Sequence, residues 1–172
     1  MDSGIINFEV YENGDNYLGM AEITMPNAEL KTIVSNGAGI AGDVELPVTG
    51  QRNAMKATFK FIDNPKAKYV LMEQRRHILD CRVAHEELNP VSGEIETVVY
   101  KHLLEGFPLT ESAGTVKPQS SQGSSVDMTI VRRKDFIRGR LVYEFDPIAW
   151  VDRGPDGVNK LAPVARALGH DV

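Results

Sequence analysis

Three groups of residues in this 172-residue chain have the types and spacing to do chemistry. Gly37, Gly39 and Gly42, within VSNGAGIAGDVELPVTG, spell a G-x-G-x-x-G after the strand-like run LKTIV, and Asp63 lies roughly 20 residues further on. A dinucleotide loop uses such glycines to let backbone N–H groups meet a pyrophosphate at the start of a helix. His77, Cys81 and His85 share one parity and carry metal-ligand atoms. The run RRKDFIRGR, with Arg132, Lys134, Arg138 and Arg140, could grip phosphates.

Each group must be weighed against what its surroundings allow. The glycine motif needs a helix directly after it, yet the continuation DVELPVTG holds Val44, Pro47, Val48 and Gly50. A proline inside a helix costs about 3 kcal/mol, so the sequence predicts extended chain there and no cofactor. The glycines, with Ile40 between them, read as permitting positive φ and close backbone approach in an extended loop over residues 36–50. On a strand His77, Cys81 and His85 would span about 26 Å, too far for one ion, so structural roles are expected and no metal site. His102 and His170 have no partners in sequence, and no nucleophile–base pair can be read; no catalytic residue is assigned. If its strand continues, the basic run presents Arg132, Lys134, Arg138 and Arg140 on one side. It then reads first as a solvated face opposite carboxylates such as Glu94 and Glu96, second as an intersubunit salt-bridge row, and third as a phosphate grip.

The elements that would position these groups are mostly strands. Period-2 alternation runs through Met55, Ala57, Phe59 and Phe61, through residues 76–85, and on through 126–137 and 141–145. Residues 94–105 are apolar on both sides, which predicts a strand covered on both faces. Asn89-Pro90 and Ser92-Gly93 form a turn signal that makes 75–87 and 94–106 a hairpin. Asn64 and Pro65 should open a short helix burying Ala67, Val70 and Leu71. A second short helix, starting at or just before Pro163, should turn Ala165 and Leu168 inward and end at Gly169. Residues 109–125 are Ser/Gly/Pro-rich and read as a long loop. The expected fold is mainly β, a sandwich or barrel with one or two short helices, in a single domain over residues 1–172.

Bulk properties narrow the function. Residues 1–50 carry eight acids against one base, Lys31, while the remainder carries 16 against 18, for a net charge of −5. A protein built to hold duplex nucleic acid usually shows a strong basic surplus, which is lacking here. One cysteine, Cys81, excludes an internal disulfide. No signal peptide or membrane span is expected from the pattern of the N-terminus and the apolar runs.

Taken together, NGDNYLGMAEITMPNAELKTIVSNGAGIAGDVELPVTGQRNAM, the hairpin RRHILDCRVAHEELNPVSGEIETVVYKHLLEG, the loop FPLTESAGTVKP and the tail VNKLAPVARALG resemble the major tail tube protein of contractile-tailed phages. The resemblance implies a β-sandwich or barrel assembling into hexameric rings with a continuous inner β-barrel. The rings would stack into a hollow conduit for DNA ejection inside a sheath. It implies a non-enzymatic subunit whose partners are its own copies, the tail sheath protein, the tape measure protein and passing double-stranded DNA, with no membrane insertion. The location implied is the virion tail, and the bacterial host cytoplasm during assembly. A phage-tail-like bacteriocin or another contractile injection system fits the same residues. On this reading Gly37, Gly39, Ile40, Gly42, Pro47, Val48, Arg132, Lys134, Arg138 and Arg140 are expected at subunit or ring interfaces. Strands 75–87 and 94–106 contribute to the lumen wall, through Glu94, Glu96, Val98 and Tyr100. The rival readings are a nucleotide-dependent oxidoreductase and a monomeric β-sandwich module that grips a peptide or glycan.

Overall fold

Met55, Ala57, Phe59 and Phe61 are all buried, while Lys56 and Lys60 between them are exposed, as a half-buried strand requires. This is one of eleven strands in the computed structural model, which describes every residue except Met1, Met20, Ala21, Ala38, Ile40, 62–64 and Val172. In chain order the strands are β1 (Asp2–Glu12), β2 (Asn16–Tyr17), β3 (Glu22–Thr24), β4 (Leu30–Ser35), β5 (Val44–Arg52) and β6 (Met55–Phe61). Helix α1 (Pro65–Leu71) follows, then β7 (His77–Leu88), β8 (Ile95–Ser112), β9 (Ser124–Ile137), β10 (Arg140–Asp146), β11 (Val151–Arg153) and α2 (Ala162–Ala167).

The main sheet runs β11-β10-β9-β8-β7-β1-β2, every pair antiparallel. Strand β9 organises it by dividing one edge between two neighbours. Its first half pairs with β6, from Phe61 opposite Ser124 to Met55 opposite Ile130. Its second half pairs with β10, from Phe145 opposite Arg133 to Arg140 opposite Ile137. Register shifts in β8 at Glu105/Gly106 and Pro108/Thr110 bend the long strand between the two halves. Gly106 is needed at that bend, because a Cβ there would run into the Thr129 carbonyl.

The fold is therefore two-layered. Strands β3 and β6 with α1 lie over one face of the β1-β7-β8-β9 sheet, and Val10, Phe59, Phe61, Leu79, Leu104 and Met128 close the core between them. Among the described residues no further layer of this chain lies on the other face of that sheet. The strand expected to be covered on both sides is therefore covered on one: Leu104 is buried, but Val99 is 56 % exposed.

Several expected boundaries move. Residues 44–50 belong to β5 and not to a loop, because Val44, Glu45, Leu46 and Pro47 pair with β4. The loop expected at 109–125 shrinks to 113–123, since β8 continues to Ser112 and β9 begins at Ser124. The basic run does not stay on one strand. Arg138 and Gly139 have φ of 51° and 76° and join Ile137 to Arg140 as a two-residue hairpin of the type that matches strand twist. Glu94 lies in the β7–β8 turn, one residue before β8.

Helix α1 buries Ala67 and Leu71 and half-buries Val70; its expected cap, Asn64, lies outside the described residues. Helix α2 buries Ala165, but Leu168 is exposed rather than inward. Leu168 is the C-cap, with φ −93° and ψ 2°, so its side chain leaves the helix's buried face; Leu161, at the N-cap, is buried instead. Gly169, at φ 85°, ends the helix and donates its N–H to the Arg166 carbonyl at 3.0 Å.

Candidate functional site

The glycine motif sits at the tip of the β4–β5 hairpin. Gly37 and Gly39 have φ of 154° and 98°, conformations that side chains rarely adopt, and a Cβ on either, or on Gly42, would meet open space. After Ala41 the chain enters β5, not a helix, so among the described residues the helix N-terminus that the dinucleotide reading requires does not follow the motif. Ile40 and Asp63 lie outside the described residues.

The hairpin itself is the more informative feature. Ile33 pairs with Leu46, Val34 with Glu45 and Thr32 with Pro47. Residues 27–34 and 41–47 are exposed wherever they are described, so Leu30, Ile33, Val34, Val44 and Leu46 present apolar surface to solvent. Thr32 Oγ1 donates to Glu45 Oε1 at 2.5 Å across the arm. A lone two-stranded hairpin is marginal in water, and this one joins no other strand among the described residues. Its root is tied to the body of the subunit. Val48 is half-buried, Asn53 donates its N–H to the Glu29 carbonyl at 2.9 Å, and Arg52 pairs with Asp152 at 2.9 Å while its guanidinium lies over the Phe145 ring. Gly50, at φ 71°, abuts Leu161, where a Cβ would clash.

The bare face of the main sheet carries a lattice of ion pairs. Asp80, Glu105 and Glu144 are about 5 % exposed or less, yet each holds at least two cations. Asp80 holds Arg82 at 3.0 Å and Lys101 at 3.3 Å. Glu105 holds Arg76 at 3.0 Å and Arg132 at 3.3 Å. Glu144 holds Lys134 at 3.0 Å and Arg132 at 3.3 Å, and Arg132 also reaches Asp146 at 3.4 Å. Burial pushes the Glu144 carboxyl up, but hydrogen bonds from Lys134 and Arg132 outweigh it and hold the group below the usual carboxylate range. The same balance governs Asp135 on the covered face: burial opposes ionisation, and hydrogen bonds from His102 and Arg133 win.

The basic run is thus split among three environments. Arg132 and Lys134 belong to this lattice. Arg138, in the turn, reaches Glu87 at 3.0 Å and Glu96 at 3.9 Å. Arg140 is exposed and has no ion pair among the described residues. Of the strand residues expected at a lumen, Glu96 accepts from Asn89 Nδ2, Val98 is buried, and Tyr100 donates to Glu87 Oε1 at 2.7 Å while its ring lies tilted against His85. They share the parity of Leu104 and so point to the covered face. Val99, Lys101 and Leu103 alternate with them on the bare face.

His77, Cys81 and His85 follow one another along β7 without converging. His77 is fully buried, with Nδ1 2.5 Å from Glu12 Oε1 and Nε2 3.0 Å from the Glu73 carbonyl. Cys81 lies in the core, where burial, reinforced by Asp80 and Asp135, pushes its thiol up to about 12. Neither arrangement is one in which a nucleophile meets a base.

Sequence reasoning missed the buried carboxylates and the sheet edges. Residues Ile5–Glu9 of β1 pair with β7 on one side, and Arg140–Tyr143 of β10 pair with β9; on the other side neither stretch has a strand neighbour among the described residues. The only signal for the carboxylates was their alternation with apolar residues, which also describes a solvated face. Among the described residues no helix is long and apolar enough to cross a membrane.

Comparison with known proteins bears on these surfaces. A search of curated proteins found no match. Solved structures that share the fold include three from contractile injection systems and their relatives. One is in a sheath–tube complex of an extracellular contractile injection system in the extended state, at 13% identity and a TM-score of 0.52, covering 76% of this chain and 88% of that one. A second, in the tube-terminating cap of the anti-feeding prophage, matches at 17% identity and 0.52, covering 76% and 87%. A third, in a sheath/tube terminator, matches at 12% and 0.53, covering 77% and 95%. The family described as phage tail tube protein FII matches residues 2–169. With almost its whole length matched, the chain belongs to the phage tail tube protein family and is a structural tube subunit.

Proposed function

We propose that copies of this chain close into hexameric rings that stack as a hollow, non-enzymatic conduit, through which double-stranded DNA is delivered to the host. The observation that carries this reading is the β4–β5 arm, a hairpin whose apolar residues are exposed and that pairs with no third strand among the described residues. Such a surface is unfavourable in water and is relieved by a second copy. Repeated contact of this kind closes into a ring when its rotation divides a circle, and rings that stack without closure give a filament.

The open edges of β1 and β10 support the same reading, because they lie at opposite ends of the β10-β9-β8-β7-β1 order. Edge-to-edge pairing between neighbours would satisfy their backbone groups and continue the sheet around a barrel. Its bare face then lines the bore, with β3, β6 and α1 outside it. On β8 the lumen side chains are Val99, Lys101 and Leu103. Gly37, Gly39, Ile40, Gly42, Pro47 and Val48 form the assembly arm, and Arg140 is the cation of the basic run left for a neighbour. A sheath protein contacts the outer layer, and a tape measure protein occupies the bore before the DNA does. The sheath–tube context of a solved structure with this fold supports the first of these partners. Assembly takes place in the host cytoplasm, and the finished subunit resides in the tail of a virion or a phage-tail-like particle.

Negative-stain microscopy of the purified protein tests the assembly. Rings or tubes are expected from the native chain, and a folded monomer from Gly39→Val or Gly42→Asp. A native chain that stays monomeric at high concentration would refute the reading, as would tubes of normal length from either variant.

A further inference from the structure

A basic run is an awkward component for a DNA conduit, because each phosphate it neutralises adds a counterion-release contribution to binding. Its two cations on the bare face, Arg132 and Lys134, nevertheless contact carboxylates that lie beneath them and are almost sealed from solvent: Glu105 and Glu144 are 4% and 5% exposed. Across the sheet Asp80 does the same for Arg82 and Lys101, whose side chains are 48% and 41% exposed.

We propose that this face is charge-masked toward duplex DNA: Asp80, Glu105 and Glu144 hold its cations so that they do not bind the phosphates of a passing duplex. The inference rests on the conduit reading above. An arginine that turned from Glu105 or Glu144 to a phosphate would take one of the cations that hold a buried carboxylate, an unfavourable exchange that free surface cations do not face. Sharing adds to the effect, since Arg132 is held by both Glu105 and Glu144 and would have to leave two carboxylates at once. Burial opposes ionisation of Glu144, but the hydrogen bonds from Lys134 and Arg132 outweigh it and favour the charged carboxylate. The arrangement leaves the bore lined by cations that are fixed, paired and indifferent to a polyanion. Removing the carboxylates rather than the cations should therefore create DNA binding.

The test uses assembled tubes, a short linear duplex and nuclease. Micrographs taken before DNA is added judge the conduit reading by itself, and absence of tubes refutes that reading. Given tubes, the native protein should sediment without nuclease-protected duplex at low salt. Glu144→Gln tubes should retain at least about tenfold more, and lose it steeply as salt rises. Adding Arg132→Gln to Glu144→Gln should reverse the gain. Asp80→Asn, which frees Arg82 on β7 and Lys101 on β8, provides the same readout should Glu144→Gln fail to assemble. Native tubes that already protect as much duplex would overturn the proposal. So would carboxylate variants that bind none, or that bind only duplex the nuclease can digest, which would put the freed cations on the outer surface.

Discussion

Two hairpins in this molecule have opposite fates. The β7–β8 hairpin is anchored on both edges by β1 and β9, and its Leu79, Cys81 and Leu104 are sealed in the core. The β4–β5 hairpin has comparable β-branched and aliphatic content, yet its apolar residues face water and no third strand joins it. The same local signal thus serves intramolecular stability in one place and is left for other copies in the second. Apolar alternation shows that a strand wants cover but does not identify the chain that provides it.

The sharpest break of this comparison is on the arm. Leu46→Asp should abolish tubes in micrographs while shifting the unfolding free energy of the subunit by less than about 0.5 kcal/mol, as exposed substitutions do. Equal loss of stability and assembly would mean that the arm folds back on its own chain. On the clad hairpin, Leu104→Ala should lower stability by about 2–5 kcal/mol in denaturant titration, because it leaves a cavity in the core. A value under 1 kcal/mol would show that the two hairpins are not so different.

A smaller effect concerns acid. Asp135 and Glu144 ionise below their unfolded values, so their contribution is complete above the ordinary carboxylate range near pH ~4 and is lost as pH falls through the folded values. The melting temperature should be flat from about pH 7 to 5 and drop below about 4. Asp135→Asn should flatten part of that drop; an unchanged acid slope would remove Asp135 from the account. The smallest expected signal is at Cys81, which should resist alkylation in the native state and react only on unfolding, since its thiol is raised to about 12. Rapid labelling of native protein would place the β7 core in a looser state than β4–β5.

Much of the fold was legible because strands and their turns are local. Asn89-Pro90 with Ser92-Gly93 fixed the β7–β8 hairpin, and the observed pairing runs without a shift from His77 opposite Gly106 to Leu88 opposite Ile95. The failures were also local competitions decided elsewhere. Pro47 suggested a loop, but it lies opposite Thr32 in a hairpin with no third strand, where its missing N–H is tolerated. Whether the strand continues through Arg138-Gly139 stayed open in the sequence, because their positive φ angles leave no mark beyond the glycine. Leu168 fitted a helical spacing that the six-residue α2 is too short to reach.

Of the candidate site, the glycine loop and the basic run could be singled out from residue types, while their surroundings could not. The sequence by itself determined the alternating strands, the hairpin turns and the absence of a helix behind GAGIAG, since each depends on neighbours a few residues apart. Only the tertiary structure decided that Arg132 would meet Glu105 from β8 and Glu144 from β10, and that one sheet face would be left without a covering layer. Those outcomes depend on strand order and register, where a shift of one residue would turn every side chain to the other face.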